Sequence, residues 1–270
     1  MAIFSTNIVG VALIVGKHSG HIAETIKCQE IGREAGFQIA DAGAAAVVFA
    51  DPSGALAEEC SKYLKDTVPA KEGQEYQTTS YTIDDKSKES IQAVVTAVIE
   101  AYGRLDYVVN TIGISQDPNG GVQNEGMINC CDVEAAAMSR QTDSQYWGKP
   151  AKRNIGRGVI VNVTPPNPGA LFHDYKLVGM DVTTRTALRE GVRCNLVSVD
   201  WFENKWCNQD LSSNEQNSIE ENLPFKRPAD LVEVGGTIAF LVSPAASYLN
   251  ANCLVLDGGP QKTRNGGPLQ

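Results

Sequence analysis

Short runs of valine, isoleucine and leucine, separated by helical patterns, are the feature that most constrains the fold of this 270-residue chain. The runs are apolar at nearly every position, whereas a strand with one face in water would alternate apolar and polar residues. Strands of this kind are covered by helices on both faces. We predict seven buried strands, at residues 8–15, 45–50, 79–83, 107–110, 159–163, 194–198 and 253–256.

This alternation predicts an α/β fold with a doubly wound, parallel, seven-stranded sheet. Right-handed crossovers between parallel strands give the Rossmann arrangement, in which ligands bind at the carboxyl ends of the strands, near the point where the strand order reverses. A length of 270 residues is ordinary for one α/β domain. We therefore expect a single domain over residues 1–270.

Charge and composition disfavour several classes of partner. Lys and Arg number 23 against 32 Asp and Glu, which gives a formal charge of −9 and disfavours nucleic acid or an anionic membrane surface. No apolar run approaches the roughly 20 residues that span a bilayer, and the amino-terminal stretch lacks the basic region of a signal peptide. We expect a cytoplasmic protein with no nucleic-acid and no membrane partner.

The 7 cysteines and 3 histidines are too scattered to suggest a metal site. The chain has no CxxC pair and no histidine at metal-ligand spacing, so we expect no bound metal. A dispersed, odd set of cysteines is typical of reduced thiols in a cytosol. The adjacent Cys130 and Cys131 are interpreted as two small buried residues, not as a redox pair.

Two segments carry a resemblance to a known family. Residues 101–115 read AYGRLDYVVNTIGIS, and residues 224–259 read PFKRPADLVEVGGTIAFLVSPAASYLNANCLVLDGG. With the strand pattern between them, they make the whole chain resemble the short-chain dehydrogenase/reductase family. The resemblance implies a nicotinamide dinucleotide cofactor and assembly as a homotetramer.

The turn after the first strand resembles the family's glycine-rich turn. Gly16 and Gly20 keep the spacing of its first two glycines, which let the backbone approach a pyrophosphate, and Ile22 stands at the third position, where glycine allows close helix packing. The stretch from Gly20 to the second strand is about eleven residues, or three helical turns, longer than the family's. Either a longer helix forms there, or Gly36 breaks it in two.

Charged residues give opposing predictions of cofactor preference. Asp51 ends the second strand, where the family's acidic residue binds the adenosine ribose and favours NAD. Lys17 and His18 favour NADP, since cations neutralise a 2′-phosphate, although a solvated loop explains them equally well. We expect NADP(H), with NAD(H) as the alternative. Further cofactor contacts that the resemblance implies are Asp84, Asn110, Gly113 and Lys176.

The family's catalytic serine, tyrosine and lysine are missing from their usual places. Pro165 stands at the serine position and has neither a hydroxyl nor a backbone N–H. Tyr175 and Lys176 are neighbours, about 100° apart around a helix, whereas the family's four-residue spacing places both on one face. A second alignment puts His173 and Leu177 at those positions instead. Neither alignment restores the proton relay.

The run Pro-Pro-Asn-Pro-Gly at residues 165–169 is the sharpest departure from the family. Its prolines fix φ and remove backbone donors, so the loop presents Asn167 in one direction, unless it is a turn without function. The run resembles that of the reductases in fungal bicyclo[2.2.2]diazaoctane indole alkaloid pathways, such as those of malbrancheamide and paraherquamide. That resemblance implies NADPH-dependent reduction of an iminium-type intermediate and guidance of an intramolecular Diels–Alder closure. Those reductases have an acidic residue where this chain has Asn167.

An iminium already carries positive charge, so it needs a hydride and a polar or anionic neighbour but no proton on oxygen. Four residues are candidates for the catalytic machinery. Asn167 lies in the proline-rich loop, and Asn129 matches the family's catalytic asparagine. Asp132, one turn after Asn129, and Asp200, after the sixth strand, are candidate carboxylates, with structural helix or N-cap roles as the alternative.

The expected function is therefore NADPH-dependent reduction of an indole alkaloid intermediate, or of another nitrogen heterocycle, coupled to stereocontrolled [4+2] cyclisation. One alternative is a carbonyl reductase with a proton donor rebuilt around Tyr175 or His173, which turnover of simple ketones would favour. The other is a cofactor-binding pseudoenzyme, which would bind nucleotide without turnover.

The glycine turn gives a direct prediction. Gly20→Val is expected to block the approach of the backbone to the pyrophosphate, because a branched side chain would occupy that space. Calorimetric titration should show loss of cofactor affinity. Unchanged affinity would rule out this placement of the pyrophosphate.

Overall fold

A seven-stranded parallel sheet with helices on both faces organises the chain. The structure is a computed structural model. It describes residues 8–16, 28–69, 75–112, 114–116, 122–147, 152–164, 172–199, 202–203, 217, 219–221 and 223–259.

The sheet confirms the predicted fold class. Its strands are β1 (Val11–Val15), β2 (Ala46–Asp51), β3 (Gln77–Thr82), β4 (Tyr107–Asn110), β5 (Gly158–Val163), β6 (Val192–Val199) and β7 (Cys253–Leu256). They lie in the order β3-β2-β1-β4-β5-β6-β7, and every neighbouring pair is parallel. All seven predicted strands are present, and the first begins later than predicted, at Val11. The strand order reverses between β1 and β4, which places the expected ligand crevice there.

Helices cover both faces of this sheet. They are α1 (Cys28–Asp41), α2 (Gly54–Thr67), α3 (Lys88–Tyr102), α4 (Glu125–Met138), α5 (Phe172–Thr186) and α6 (Leu231–Val242). Helices α1, α2 and α6 pack on one face, and α3, α4 and α5 pack on the other. All residues of β1, β2, β4, β5 and β6 are buried, which explains why most of them are apolar.

Helix α3 shows how local sequence sets the ends of these helices. The Ser87 side chain caps its amino terminus by accepting a hydrogen bond from the Ser90 amide, and Gly103 ends it in the left-handed conformation, with φ of 82°. Its buried residues recur every three or four positions and therefore lie on one face. They are Ile91, Val94, Val95 and Val98.

Helix α1 decides whether Gly36 breaks the helix that precedes β2. It runs without interruption from Cys28 to Asp41, so Gly36 does not break it. Gly36 lies against β2, where a Cβ atom would be 2.7 Å from Cζ of the buried Phe49 ring. Residues 17–27, between β1 and α1, are outside the described part of the chain.

This close packing predicts opposite effects for two Gly→Ala changes. Gly36→Ala should lower the free energy of unfolding by about 1–3 kcal/mol, because the added methyl group overpacks the core against Phe49. Gly236→Ala on α6 is the matched control, since a Cβ there meets nothing within 4 Å. It should raise stability by about 0.5–1 kcal/mol through helix propensity. Urea denaturation of both variants measures the difference, and equal effects would contradict the packing.

Candidate functional site

Gly16 and Asp51 meet at the carboxyl ends of β1 and β2. The Gly16 amide donates a hydrogen bond of 2.8 Å to the Ala50 carbonyl, and a Cβ at Gly16 would lie 3.0 Å from Oδ2 of Asp51. Asp51 is only 2% exposed, and its Oδ1 accepts a hydrogen bond of 2.7 Å from the Ser53 amide. The structure therefore brings these two predicted cofactor residues together.

Gly32 lets α1 approach the sheet, and the sequence analysis missed it. A Cβ at Gly32 would lie 3.2 Å from Cγ2 of Ile14 in β1 and 3.2 Å from Oγ1 of Thr111, just after β4. Close helix–strand packing is the task of the third glycine in a dinucleotide-binding turn. That task falls to Gly32, while Ile22, assigned to it from the sequence, lies outside the described residues. The sequence offers Gly32 as the third glycine only if the residues added after Gly20 are allowed to move it away from position 22.

A small cavity lies beside these glycines, at the edge of the sheet where this fold places the adenosine half of a dinucleotide. Gly16, Gly32, Arg33 and Asp51 are among its lining residues. Arg33 and Asp51 therefore bring a cation and a carboxylate to the same cavity. The Arg33 guanidinium lies over the Tyr63 ring, 5.4 Å from its centroid. A glycine at the end of β1, a second glycine at the contact between α1 and β1, and an acidic residue ending β2 fit the residue set of a dinucleotide site. The sequence analysis also missed Arg33.

Asp84 lies in the turn between β3 and α3. Its Oδ1 accepts a hydrogen bond of 2.9 Å from the Lys86 amide, and its own amide donates to Oγ of Ser90 at 2.9 Å. The Asp84 side chain is exposed, whereas the next residue, Asp85, is buried. The carboxylate organises this turn, and its adenine contact stays a prediction.

Asn129 and Asp132 both contact the region of α3. The Asn129 amide donates to the Asp85 carbonyl at 3.3 Å, and Asp132 forms an ion pair of 3.0 Å with Lys88. They lie about 140° and 160° around α4 from Glu134, which faces the sheet. The structure does not bring these two residues to the polar groups at the ends of β4 and β5. Their catalytic role stays a prediction.

Asn110 belongs to a buried polar cluster at the carboxyl ends of β4 and β5. Its Nδ2 donates to Oε2 of Glu134 at 2.8 Å and to Oδ1 of Asn162 at 3.2 Å. The Asn162 amide in turn donates to Oγ1 of Thr183 on α5 at 3.0 Å, and the Cys131 thiol donates to Oδ1 of Asn162 at 3.3 Å. The cluster thus joins two strands to α4 and α5.

Glu134 is a fully buried carboxyl that the sequence analysis missed. Burial raises the pKa of Glu134 to about 8, and the hydrogen bond from Asn110 opposes that shift. Its Oε1 has no hydrogen-bond partner among the described residues. Helical spacing could have identified it. Met127, Cys131, Glu134 and Met138 follow one another at spacings of four, three and four residues, so they share one face of α4, and all are buried.

Cys130 and Cys131 are 0% and 1% exposed, which confirms that they are small buried residues. Burial also raises the pKa of the Cys130 thiol. The free thiols among the described side chains are Cys60, Cys130, Cys131, Cys194 and Cys253. Within the described residues, no cluster of three or more His, Cys, Asp or Glu side chains could hold a metal ion. None of the described helices is both long and apolar enough to cross a membrane.

Tyr175 and Lys176 face different surroundings, as adjacent helical residues must. Tyr175 is 6% exposed and packs in the hydrophobic cluster that α3, α4 and α5 form with the sheet. Lys176 lies near β7, where its ammonium opposes the rise that burial causes in the pKa of the Cys253 thiol. Leu177 is 54% exposed. The described residues of α5 thus present no tyrosine and lysine on one face, and a cofactor contact from Lys176 stays a prediction.

Several predicted site residues lie outside the described part of the chain. They are Lys17, His18, Gly20, Ile22, Gly113, Asn167 and Asp200. The residues next to two of these segments are described. Thr164, which precedes the proline-rich run, is buried, and its Oγ1 lies 3.3 Å from Oγ of Ser198, two residues before Asp200. The two segments therefore leave the sheet from neighbouring strands.

Comparisons with known proteins agree with this geometry. A family model described as enoyl-(acyl carrier protein) reductase matches residues 27–261, beginning just before α1. A short-chain dehydrogenase of Penicillium roqueforti is 25% identical over 93% of this chain and 95% of its own length. A short chain dehydrogenase/reductase of Aspergillus oryzae is 28% identical over 92% of this chain and 94% of its own. The crystal structure of a hydroxysteroid dehydrogenase from Escherichia coli, 18% identical, matches the fold with a TM-score of 0.68 over 92% of this chain and 95% of that chain.

Glu134 predicts a specific dependence of stability on pH. Its pKa is raised from 4.5 to about 8 in the folded protein, so between these values the folded state holds a proton that the unfolded state has lost. Stability from this group is present below about pH 4.5 and is lost as the pH rises towards 8. Relative to Glu134→Gln, the wild type should lose about 3–5 kcal/mol over this range.

Urea denaturation at several pH values measures this difference. Glu125→Gln makes the same chemical change at an exposed position on the same helix, and it should follow the wild type. A constant difference between wild type and Glu134→Gln across the range would contradict the buried, neutral carboxyl.

Proposed function

The chain belongs to the short-chain dehydrogenase/reductase family, and from that premise we propose that it reduces an iminium-type intermediate with NADPH and guides an intramolecular [4+2] cyclisation. The proposed substrate is an indole alkaloid intermediate or another nitrogen heterocycle. The observation that carries the proposal is the position of Tyr175, which is buried in the core while Lys176 faces β7. A ketone reductase of this family type needs those two groups on one face.

The cofactor half of the site supports the reductase part of the proposal. When bound, the dinucleotide supplies a hydride. Gly16 leaves the end of β1 open to it, Gly32 lets α1 pack close to that strand, and Asp51 supplies a carboxylate that would accept hydrogen bonds from the adenosine ribose. Arg33 in the same cavity, together with the predicted Lys17 and His18, favours a 2′-phosphate and hence NADPH. Asp51 alone would favour NADH.

Loss of the proton relay is consistent with a cationic substrate. A ketone oxygen must receive a proton as the hydride arrives, whereas an iminium carbon needs only the hydride. Such a cation is stabilised by a polar or anionic neighbour held in advance. Asn167 in its proline-rich loop is our first candidate for that neighbour, with Asp200 as a second, because the two residues follow the neighbouring strands β5 and β6 in the sequence.

We also propose a homotetramer in the cytoplasm. Strand β7 is at an edge of the sheet, and its residues are partly exposed, with Val255 at 37%. An apolar edge strand of this kind is normally covered, and a second copy of the chain would cover it. Sedimentation of the purified protein measures the assembly directly.

Two substitutions test the proposed chemistry. Asn167→Asp should accelerate single-turnover reduction or cyclisation of a dipeptide-derived iminium by roughly a hundredfold, since a preorganised charge beside a cation contributes on the order of 3 kcal/mol. Tyr175→Phe should change the same rate by less than about tenfold, because the phenol is not the proton donor. An inactive Tyr175→Phe beside an unchanged Asn167→Asp would restore the tyrosine relay and the carbonyl reductase. Cofactor binding without any turnover would favour the pseudoenzyme.

A further inference from the structure

Glu134 is enclosed by polar groups but by no charged partner among the described residues. The groups around it are Asn110 from β4, Asn162 from β5, Cys194 from β6, Thr183 from α5 through Asn162, and Cys130 and Cys131 from α4 itself. The negative charge of Asp85, in the turn after β3, contributes to the raised pKa of the Cys130 thiol. Burial raises the pKa of both Cys130 and Cys194 well above the ordinary thiol value. These two thiols therefore stay neutral while Glu134 titrates.

The polar cluster around Glu134 lies at the end of the sheet where the second half of a dinucleotide would bind. The adenosine half of the site lies at the ends of β1 and β2, beside Gly16 and Asp51. A dinucleotide crosses the point where the strand order reverses, so its other half extends over the ends of β4 and β5. Asn110 and Asn162 are register partners at those two ends, and Glu134 accepts its hydrogen bond from Asn110 directly beneath them.

We propose that Glu134 is a positioning residue for the nicotinamide half of the site, where it holds the Asn110–Asn162 pair and favours the oxidised, cationic ring over the reduced, neutral one. The inference rests on the cofactor part of the proposed function and is independent of the iminium substrate. It also assigns a buried carboxyl to the reacting end, whereas the Asp132 carboxylate is half exposed in its ion pair with Lys88.

The sign of the effect follows from charge. The oxidised nicotinamide ring is positive and the reduced ring is neutral, so an ionised Glu134 attracts only the oxidised form. Burial raises the pKa of Glu134 to about 8, so the carboxyl is mostly neutral at pH 6.5 and mostly ionised at pH 9.5. Raising the pH should therefore strengthen binding of the oxidised cofactor relative to the reduced one, and binding of the oxidised cofactor should release protons near pH 8.

The test compares dissociation constants of the oxidised and reduced dinucleotide at pH 6.5 and 9.5. In the wild type, the affinity ratio should shift towards the oxidised form by roughly tenfold, as for two unit charges about 12 Å apart at an effective dielectric constant near 20. In Glu134→Gln, which keeps an oxygen for Asn110, the ratio should stay within about twofold of its value at pH 6.5. Glu125→Gln, exposed on the same helix, should follow the wild type. An equal shift in Glu134→Gln would overturn the proposal.

A measurement on the wild type keeps the proposal testable if Glu134→Gln does not fold. Carboxyl-labelled glutamate in the intact protein should give one resonance that titrates near pH 8, moves to lower pKa with the oxidised cofactor and does not move with the reduced one. If the resonance titrates with the same pKa in the presence of the oxidised and of the reduced cofactor, the inference is overturned and the proposed function still stands. Failure of the wild type to bind either cofactor overturns both.

Discussion

Burial of a parallel sheet on both faces is the constraint on which the rest of this structure depends. Water cannot reach the polar side chains on the inner strands, so each of them needs a partner inside the protein. Asn110 and Asn162 meet this requirement through each other and through Glu134, and Asn162 also bonds to Thr183. A carboxyl in that place becomes neutral at ordinary pH, because nothing described around it carries a compensating positive charge.

The same constraint explains which parts of the fold were predictable. Strands buried on both faces are apolar at most positions, and the predicted strand at 107–110 coincides with β4. The predicted strand at 253–256 coincides with the edge strand β7. The glycine turn was only half predictable, because added residues displace Gly32 from its expected spacing and counting from Gly20 leads to Ile22. The tertiary contact with Ile14 and Thr111 identifies Gly32, and spacing alone does not.

The surroundings of the carboxylates on α4 could not be predicted from their charge. Asp132, whose catalytic role stays a prediction, is half exposed in an ion pair with Lys88. Glu134, two residues later, is fully enclosed, although charged residues in helices are usually exposed. The rotation of α4 decides between them, and that rotation depends on how the helix packs against α3 and the sheet. The predictions for Asn167 and Asp200 concern segments outside the described residues.

Beside the dinucleotide site that we propose, the described residues of α5 present no tyrosine and lysine on one face. The central claim is that the substrate needs a hydride but no proton donor, and a matched pair of substrates tests it most directly. Single-turnover oxidation of NADPH should be followed with an N-methylated cyclic iminium and with the cyclic ketone of the same ring size. We predict that the iminium is reduced at least about a hundredfold faster than the ketone, a difference of roughly 3 kcal/mol in barrier. Reduction of the ketone at an equal or higher rate would contradict the account.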